Sequence, residues 1–353
     1  MAHDLSAGPG VLDQVAACAR AALAAYAPPG AGDGPVPGPA VTLLNVSENA
    51  TFLVTGADGE RSVLRVHRLG YHDVAAIESE LAWMDALRRE AGVRTPRVIP
   101  AAGGQRVVTA GGRHCVRMEF LPGAEPAGAG GGPRALAHFA ELGALTARMH
   151  AHARRWRRPA WFTRFRWSAA DAFGRDPGGA LPGRWGRWRD GVGVGRPEAE
   201  VLARLEARLR ARLAAYGSGP GRFGLIHADT RLANLLVHQG TTAIIDFDDC
   251  GLGWYLYDLG TSVSFFEDDP AVPALVAAWL AGYQAGGGVL TAADRAEAWT
   301  FILFRRLLLT AWIGSHPAAA GAAELGPAYA RGTCDLAESY LAGSLDRLAR
   351  ALP

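Results

Sequence analysis

Residues 225–249 read LIHADTRLANLLVHQGTTAIIDFDD, and this stretch limits the possible folds more than any other. Apolar, β-branched runs of strand type, GLIH and TAIIDF, flank the irregular piece TRLANLLVHQG. Into that frame the chain sets His227, Asp229, Asn234 and Asp246. Polar groups in an apolar setting cost free energy unless each finds a partner. The spacing H-x-D-x4-N, followed by an aspartate twelve residues later, brings two carboxylates and an amide to one small volume. Phosphoryl transfer needs that set. One carboxylate orients the attacking hydroxyl and accepts its proton, while an amide and a second carboxylate hold magnesium against nucleotide phosphates.

An absence narrows the field further. All 36 basic residues are arginine, and the 353-residue chain contains no lysine. Schiff-base chemistry, and with it pyridoxal phosphate, is excluded. So is a Walker P-loop, which requires GK followed by Ser or Thr. No GxSxG elbow supports an α/β-hydrolase. Cys18, Cys115, Cys250 and Cys334 form no CxxC pair, which argues against a zinc site or a disulfide framework. A composition 49% apolar and 20% charged describes a globular protein. Apolar runs such as RLLLTAWIG are too short to span a membrane. The N-terminal segment carries Asp4, Asp13 and Arg20 where a secretory signal needs an unbroken apolar core. It reads as an amphipathic helix of a cytoplasmic protein.

Residues 28–39, PPGAGDGPVPGP, form a linker, so residues 1–39 read as a helix and its tether. VTLLNV, TFLVTG and RSVLRVH then read as strands joined by the turns SEN and GADG. Between Asp73 and Ala91, Val74, Ile77, Leu81, Met84 and Leu87 recur at helical spacing. QRVVTA and HCVRMEFL add two strands, and from Pro133 onward the pattern is mainly helical. The expectation is an α+β, two-lobed protein: an antiparallel sheet with one helix over 40–121, then a mainly helical lobe over 122–353. No internal repeat interrupts this order.

With these pieces in place, the chain resembles the aminoglycoside phosphotransferase-like kinases, a branch of the protein-kinase-like fold. That branch includes antibiotic kinases, choline and homoserine kinases, and bacterial stress-type protein kinases. HADTRLAN is similar to its catalytic loop and IIDFDD to its metal loop. The resemblance implies Asp229 as catalytic base, Asn234 and Asp246 as Mg2+ ligands, and His227 as structural anchor of the loop. It implies that Asp258, in LYDLG, braces the same loop. Asp248 and Asp249 read as solvated or capping residues.

Kinases of this fold usually carry a third-strand lysine that pairs ATP phosphates and a helix glutamate. Here that place falls to Arg65, in SVLRVH. Arginine can bridge phosphate oxygens, but its planar fork is not equivalent to an ammonium. Its partner is expected to be Glu80, about 50° from the centre of the apolar stripe, rather than Glu78, about 110° away. The turn NVSENATF stands where the family has its nucleotide loop, making Ser47 and Asn49 candidate phosphate donors. RMEFLPG resembles the hinge between lobes: adenine would bond the Glu119 carbonyl and the Leu121 N–H, with Met118 packed behind.

Residues 154–167, RRWRRPAWFTRFRW, interleave arginine with aromatics as a nucleic-acid surface does. The formal charge of +2 argues against that role. A substrate cap over about 154–190, with rings packed inward and arginines solvated, is the preferred reading. His150 and His152 read as a helix surface rather than a metal pair. FEDDP, at 266–270, is a candidate for holding a cationic acceptor, and the arginines near Arg164 for holding an anionic one. The function read from these signals is transfer of the γ-phosphate of ATP, with Mg2+, to a hydroxyl of a small molecule. The alternatives are a stress-type Ser/Thr protein kinase and a nucleotide-binding regulator without turnover. Oligomeric state leaves no trace in the sequence.

Overall fold

A computed structural model describes residues 8–27, 39–46, 49–126, 131–175, 182–316, 322–350 and 352. Helix α1 (Gly8–Leu23) lies against a five-stranded antiparallel sheet. Its strands are β1 (Ala40–Val46), β2 (Ala50–Thr55), β3 (Arg61–Val66), β4 (Val108–Ala110) and β5 (Arg113–Glu119), in the order β1-β2-β3-β5-β4. Val15 and Ala19 of α1 pack with Phe52, Val54 and Leu64 in a core of their own, as the amphipathic reading requires. Helix α2 (Val74–Ala91) starts where the Asp73 carboxylate accepts the Ala76 N–H at 2.7 Å and stops at Gly92, whose φ is 62°. The expected strands and helix are all present. Among the described residues no helix is long and apolar enough to cross a membrane.

The remainder is mainly helical. Helix α3 (Pro133–Arg155) leads to β6 (Arg166–Trp167), α4 (Ala169–Phe173) and α5 (Arg196–Tyr216). Strands β7 (Phe223–Ile226), β8 (Leu235–His238), β9 (Thr241–Ile244) and β10 (Gly251–Trp254) precede α6 (Tyr255–Ser262). The helices α7 (Val272–Ala285), α8 (Ala292–Ala296), α9 (Ala298–Ser315), α10 (Ala322–Leu341) and α11 (Ser344–Arg350) complete the chain.

The two strand-like runs around the catalytic-loop motif are not partners. β7 pairs antiparallel with β10, while β9 pairs with β8 in a hairpin that the sequence reading had left irregular. The turn of that hairpin is Gln239–Gly240, with φ of 49° and 73°. Positive φ at both central residues is the type I′ geometry that matches the strand twist.

Helices α3 and α7 approach so closely that glycines are required on both. A Cβ on Gly143 would lie 2.0 Å from the Trp279 carbonyl oxygen, and one on Gly282 would lie 1.9 Å from that of Ala140. His150 turns inward toward Tyr283 of α7, and His152 toward Glu90 of α2. Neither is a surface residue, because α3 is covered on more than one face; both histidines are buried.

Candidate active site

The residues read from sequence as a catalytic loop follow the end of β7. Ala228 has a φ of 66°, a conformation that a residue with a Cβ holds only when its surroundings fix it. Asp258, fully buried at the first turn of α6, supplies the fixing contacts. Its Oδ1 accepts the Ala228 N–H at 2.7 Å, and its Oδ2 accepts the His227 N–H at 3.2 Å. His150 Nε2 meets the same Oδ2 at 2.9 Å, and Tyr283 holds the other ring nitrogen at 3.0 Å. The brace therefore has a support of its own, which the sequence reading did not contain.

His227 is an internal tie. Its Nδ1 accepts the Asp229 N–H at 3.3 Å, which leaves Nε2–H to donate to the Ile245 carbonyl at 3.1 Å. Burial outweighs the nearby Asp258 and Asp229 carboxylates and lowers its pKa, so the ring is neutral. The bond to Ile245 joins the catalytic loop to the segment that presents Asp246.

Asp229 stands in a dense ring of donors. Arg305, from the middle of α9, donates from Nη2 to Oδ1 at 2.7 Å, and Arg231 Nε lies 3.1 Å from the same oxygen. The Asn234 amide nitrogen donates to Oδ2 at 2.7 Å. Burial by itself would raise the Asp229 pKa; Arg231 and Arg305 outweigh it and hold the carboxyl below its ordinary value. Arg305 is buried and also donates to the Ser264 hydroxyl at 3.0 Å. Arg305 was missed by the sequence reading.

Asp246 faces the cleft with a φ of 64°. Burial first, and then the adjacent Asp248 carboxylate, push its proton affinity well up. Two acidic groups in mutual repulsion are what a bound divalent cation relieves. Asn234 donates its amide nitrogen to Asp229, so its oxygen is the atom available to such a cation. Among the described residues no three His, Cys, Asp or Glu side chains are arranged to hold a metal.

Arg65 occupies the expected place on β3. Its Nη2 meets Glu80 Oε1 at 2.5 Å, and its Nη1 lies 3.7 Å from Asp246 Oδ1. Arg65 and Glu80 are both buried, and Glu80 is the glutamate that helical phase selects. Burial acts to lower the Arg65 pKa, but Glu80, Asp248 and Asp246 reverse the effect and raise it, so the charge is permanent.

Several other candidate side chains are engaged within the fold. Asn49 donates to Asp248 Oδ2 at 2.7 Å and accepts the Arg68 N–H at 3.3 Å, so its side chain ties the turn to the metal loop. Asp248 and Asp249 are themselves buried, not solvated. Ser47 lies outside the described residues. Arg164 is a buried strut whose guanidinium donates to the carbonyls of Ala76, Cys250 and Asp248. In FEDDP, Glu267 is buried against Arg306 at 2.7 Å and Tyr329 at 2.9 Å, and Asp268 meets Arg306 at 3.2 Å. Arg306 thus takes Glu267 and one side of Asp268 within the fold, and Asp269 accepts the Ala271 N–H, where sequence reading had offered the segment to a ligand.

A cavity of about 550 Å3 is lined by Arg65, Asp229, Asn234, Asp246 and Arg305 together. It is lined also by Met118, Glu119 and Leu121 of the segment read as the hinge, and by Met84 of α2. Trp185, Phe265, Leu309 and Trp312 line it too. Trp167, Trp185 and Trp188 of the cap are buried as expected, whereas Trp161 is 53% exposed.

Residues 41–299 match the model of a family described as phosphotransferase enzyme family. The structure of a microcompartment-associated aminopropanol kinase is 45% identical, covering 94% of this chain and 99% of that one, with a TM-score of 0.81. An amicoumacin kinase, solved with AMP-PNP and Ca2+, shares the fold at 20% identity and a TM-score of 0.67, over 84% of this chain and 88% of its own. An uncharacterized protein of Deinococcus radiodurans is 29% identical over 313 residues, 82% of this chain and 81% of that protein.

Proposed function

Because this chain belongs to the phosphotransferase enzyme family, we propose that it moves the γ-phosphate of ATP, with Mg2+, to the hydroxyl of a small amino alcohol. It is a kinase with a small-molecule alcohol acceptor. The observation that carries the reading is that Asp229 shares one cavity with Met118 and Leu121 of the hinge-like segment and with Trp185, Phe265, Leu309 and Trp312. Three large rings around the acceptor suit a metabolite of a few heavy atoms better than an extended peptide. Likeness to an aminopropanol kinase over nearly the whole chain supports an amino alcohol as that metabolite. A cytoplasmic location, where ATP is supplied, accords with this reading.

On this reading residues 40–121 hold the nucleotide and 122–353 present the catalytic loop and cap. The Glu119 carbonyl and Leu121 N–H take the adenine edge, with Met118 behind. Arg65, fixed by Glu80, bridges phosphate oxygens. Asn234 and Asp246 would hold Mg2+, which when bound offsets the phosphate charge. Asp229 accepts the hydroxyl proton as the acceptor oxygen bonds to the γ-phosphorus and the bond to the bridging oxygen of ADP breaks. Arg231, part-exposed in the same space, brings positive charge toward the transferring group.

The test is a panel of acceptors with radiolabelled ATP: amino alcohols, matched diols, an aminoglycoside and a lysate. Label in an amino alcohol phosphate is the expected result. Label in a lysate protein would favour the protein-kinase alternative. Magnesium-dependent ATP binding with no transfer to any acceptor would favour the regulator.

A further inference from the structure

The carboxylate of Asp229 is fully occupied. Oδ1 accepts Arg305 Nη2 at 2.7 Å and Arg231 Nε at 3.1 Å. Oδ2 accepts the Asn234 amide at 2.7 Å and the same Arg231 Nε at 3.2 Å. These contacts fill the roughly four lone-pair sites of a carboxylate. An acceptor hydroxyl can give its proton to Asp229 only after one donor leaves. Arg305 is buried, and it also holds the Ser264 hydroxyl at 3.0 Å and the Ala228 carbonyl at 3.3 Å. Asn234 is buried too, and donates to the Asp229 backbone carbonyl at 2.8 Å. Arg231 differs from both. Its side chain is 32% exposed, and among the described residues its two Nη groups have no hydrogen-bond partner.

The backbone around Arg231 is pinned, so what can leave is the side chain. On one side the Thr230 N–H donates to the Thr261 hydroxyl at 2.9 Å, and the Thr230 hydroxyl donates to the Asp258 carbonyl at 2.6 Å. On the other, the Arg231 carbonyl accepts the Asn234 N–H at 3.0 Å. The guanidinium carbon stands 5.4 Å from the centre of the Phe265 ring, a face that holds a planar cation without a hydrogen bond. Arg231, Phe265, Asp229 and Asp246 line the same cavity. A phosphoryl group between Asp246 and Asp229 would offer the guanidinium oxygens in bidentate geometry. Burial raises the proton affinity of Asp229, and of the cations opposing it Arg231 acts most strongly. Its departure therefore also strengthens the base.

We propose that Arg231 is a nucleotide-operated gate on the base, covering Asp229 until the γ-phosphate of ATP draws the guanidinium away. This rests on the ATP-dependent transfer read above and adds an order to it, nucleotide first and acceptor second. With ATP in place, the Nη groups bond γ-phosphate oxygens, and the vacated carboxylate site receives the acceptor hydroxyl. With ADP the γ-phosphate is gone. Arg231 then returns to Asp229, and a second acceptor finds the base closed.

The test uses the full-length protein with Mg2+ and either ADP or AMP-PNP, which keeps a γ-phosphoryl group but does not transfer it. Calorimetric titration with 1-amino-2-propanol should show the wild type binding it roughly tenfold or more tighter with AMP-PNP than with ADP. That ratio is the worth of a hydroxyl bonded to an ionised carboxylate. Arg231→Met removes the charge and keeps the length, so its base is open in both states and the two affinities should converge. Its kcat should fall by about 10²-fold, as loss of a donor to the transferring group does. Arg231→Lys should recover part of both kcat and the nucleotide dependence. Crystal structures of the wild type with each nucleotide give a readout independent of the acceptor. Arg231 should lie on Asp229 with ADP and beyond hydrogen-bond reach of it with AMP-PNP. A guanidinium that stays on Asp229 beside AMP-PNP, equal wild-type affinities with the two nucleotides, or a ratio that persists in Arg231→Met overturns the gate while the transfer reading stands. A wild type that moves no phosphate from ATP to any acceptor overturns the parent reading itself.

Discussion

The Arg305 guanidinium reaches Asp229 Oδ1 at 2.7 Å from the middle of α9, across 76 residues of sequence. It is buried, and its other donors go to the Ser264 hydroxyl and the Ala228 carbonyl. Arg305→Ala leaves Asp229 with the part-exposed Arg231 as its cationic partner. Losing one member of a buried pair costs about 3–5 kcal/mol of stability. The expected result is a clear fall in Tm and in kcat with nearly normal ATP binding. Arg305→Lys should recover part of the Tm. An unchanged melting curve in Arg305→Ala would show that the pair is not structural.

Asp229→Asn should lower kcat by about 10²–10⁴-fold while leaving nucleotide affinity nearly intact, because the amide cannot accept the hydroxyl proton. Steady-state kinetics with a nucleotide-binding titration separates the two effects. Near-normal turnover would remove Asp229 from the reaction.

Arg65→Ala should cost roughly 1.5–3 kcal/mol in charge-assisted phosphate bonding, read as a fall in kcat/KM for ATP. Arg65→Lys should be partly active, since an ammonium still pairs with Glu80 but lacks the planar fork. Normal ATP kinetics in Arg65→Ala would assign the phosphate contact elsewhere.

Gly282→Ala forces a methyl group to within 1.9 Å of the Ala140 carbonyl oxygen and should destabilise the protein by about 1–3 kcal/mol. Gly10→Ala is the contrast, since an added Cβ there meets nothing within 4 Å in helix α1. It should stabilise by up to about 1 kcal/mol. The two melting curves should move in opposite directions.

His72 is buried beside Asp248, and burial, followed by Arg164 and Arg184, pushes its pKa down to about 2. The unfolded chain, with an ordinary histidine, takes up a proton below about pH 6.5 while the folded one does not. A lowered histidine pKa therefore gives stability that is full above pH 6.5 and lost as pH falls toward 2. The loss has a limiting slope of about 1.4 kcal/mol per pH unit. Melting curves at pH 7.5, 6 and 5 should show a shallower acid slope for His72→Gln. An equal slope would assign the proton uptake to other groups.

The local features of this fold were legible because their signals are local. Strand alternation, the period of α2 and the phase of Glu80 need no knowledge of distant residues. The catalytic motif is likewise compact, from His227 to Asp246. What escaped depends on long-range partners: His150 meets Asp258 across 108 residues, and Tyr71 meets Asp249 across 178. Arg305 and Arg306 did leave a trace. Two charges inside FILFRRLLLTAW need buried partners, and acidic residues elsewhere had to supply them. Reading FEDDP as part of that demand, rather than as a ligand site, would have paired Glu267 with Arg306. Of the tryptophans expected to pack inward, Trp167 is buried and Trp161 is exposed, although the two look alike in sequence.

The Arg65–Glu80 pair has a practical consequence for how such an enzyme is detected. Reagents that mark kinases by delivering an acyl group from a nucleotide analogue depend on a nucleophilic amine beside the phosphates. A guanidinium stays protonated and does not take the acyl group, and this chain has no lysine anywhere to substitute for it. Surveys of kinases built on that labelling would pass over this protein even where it is abundant and turning over.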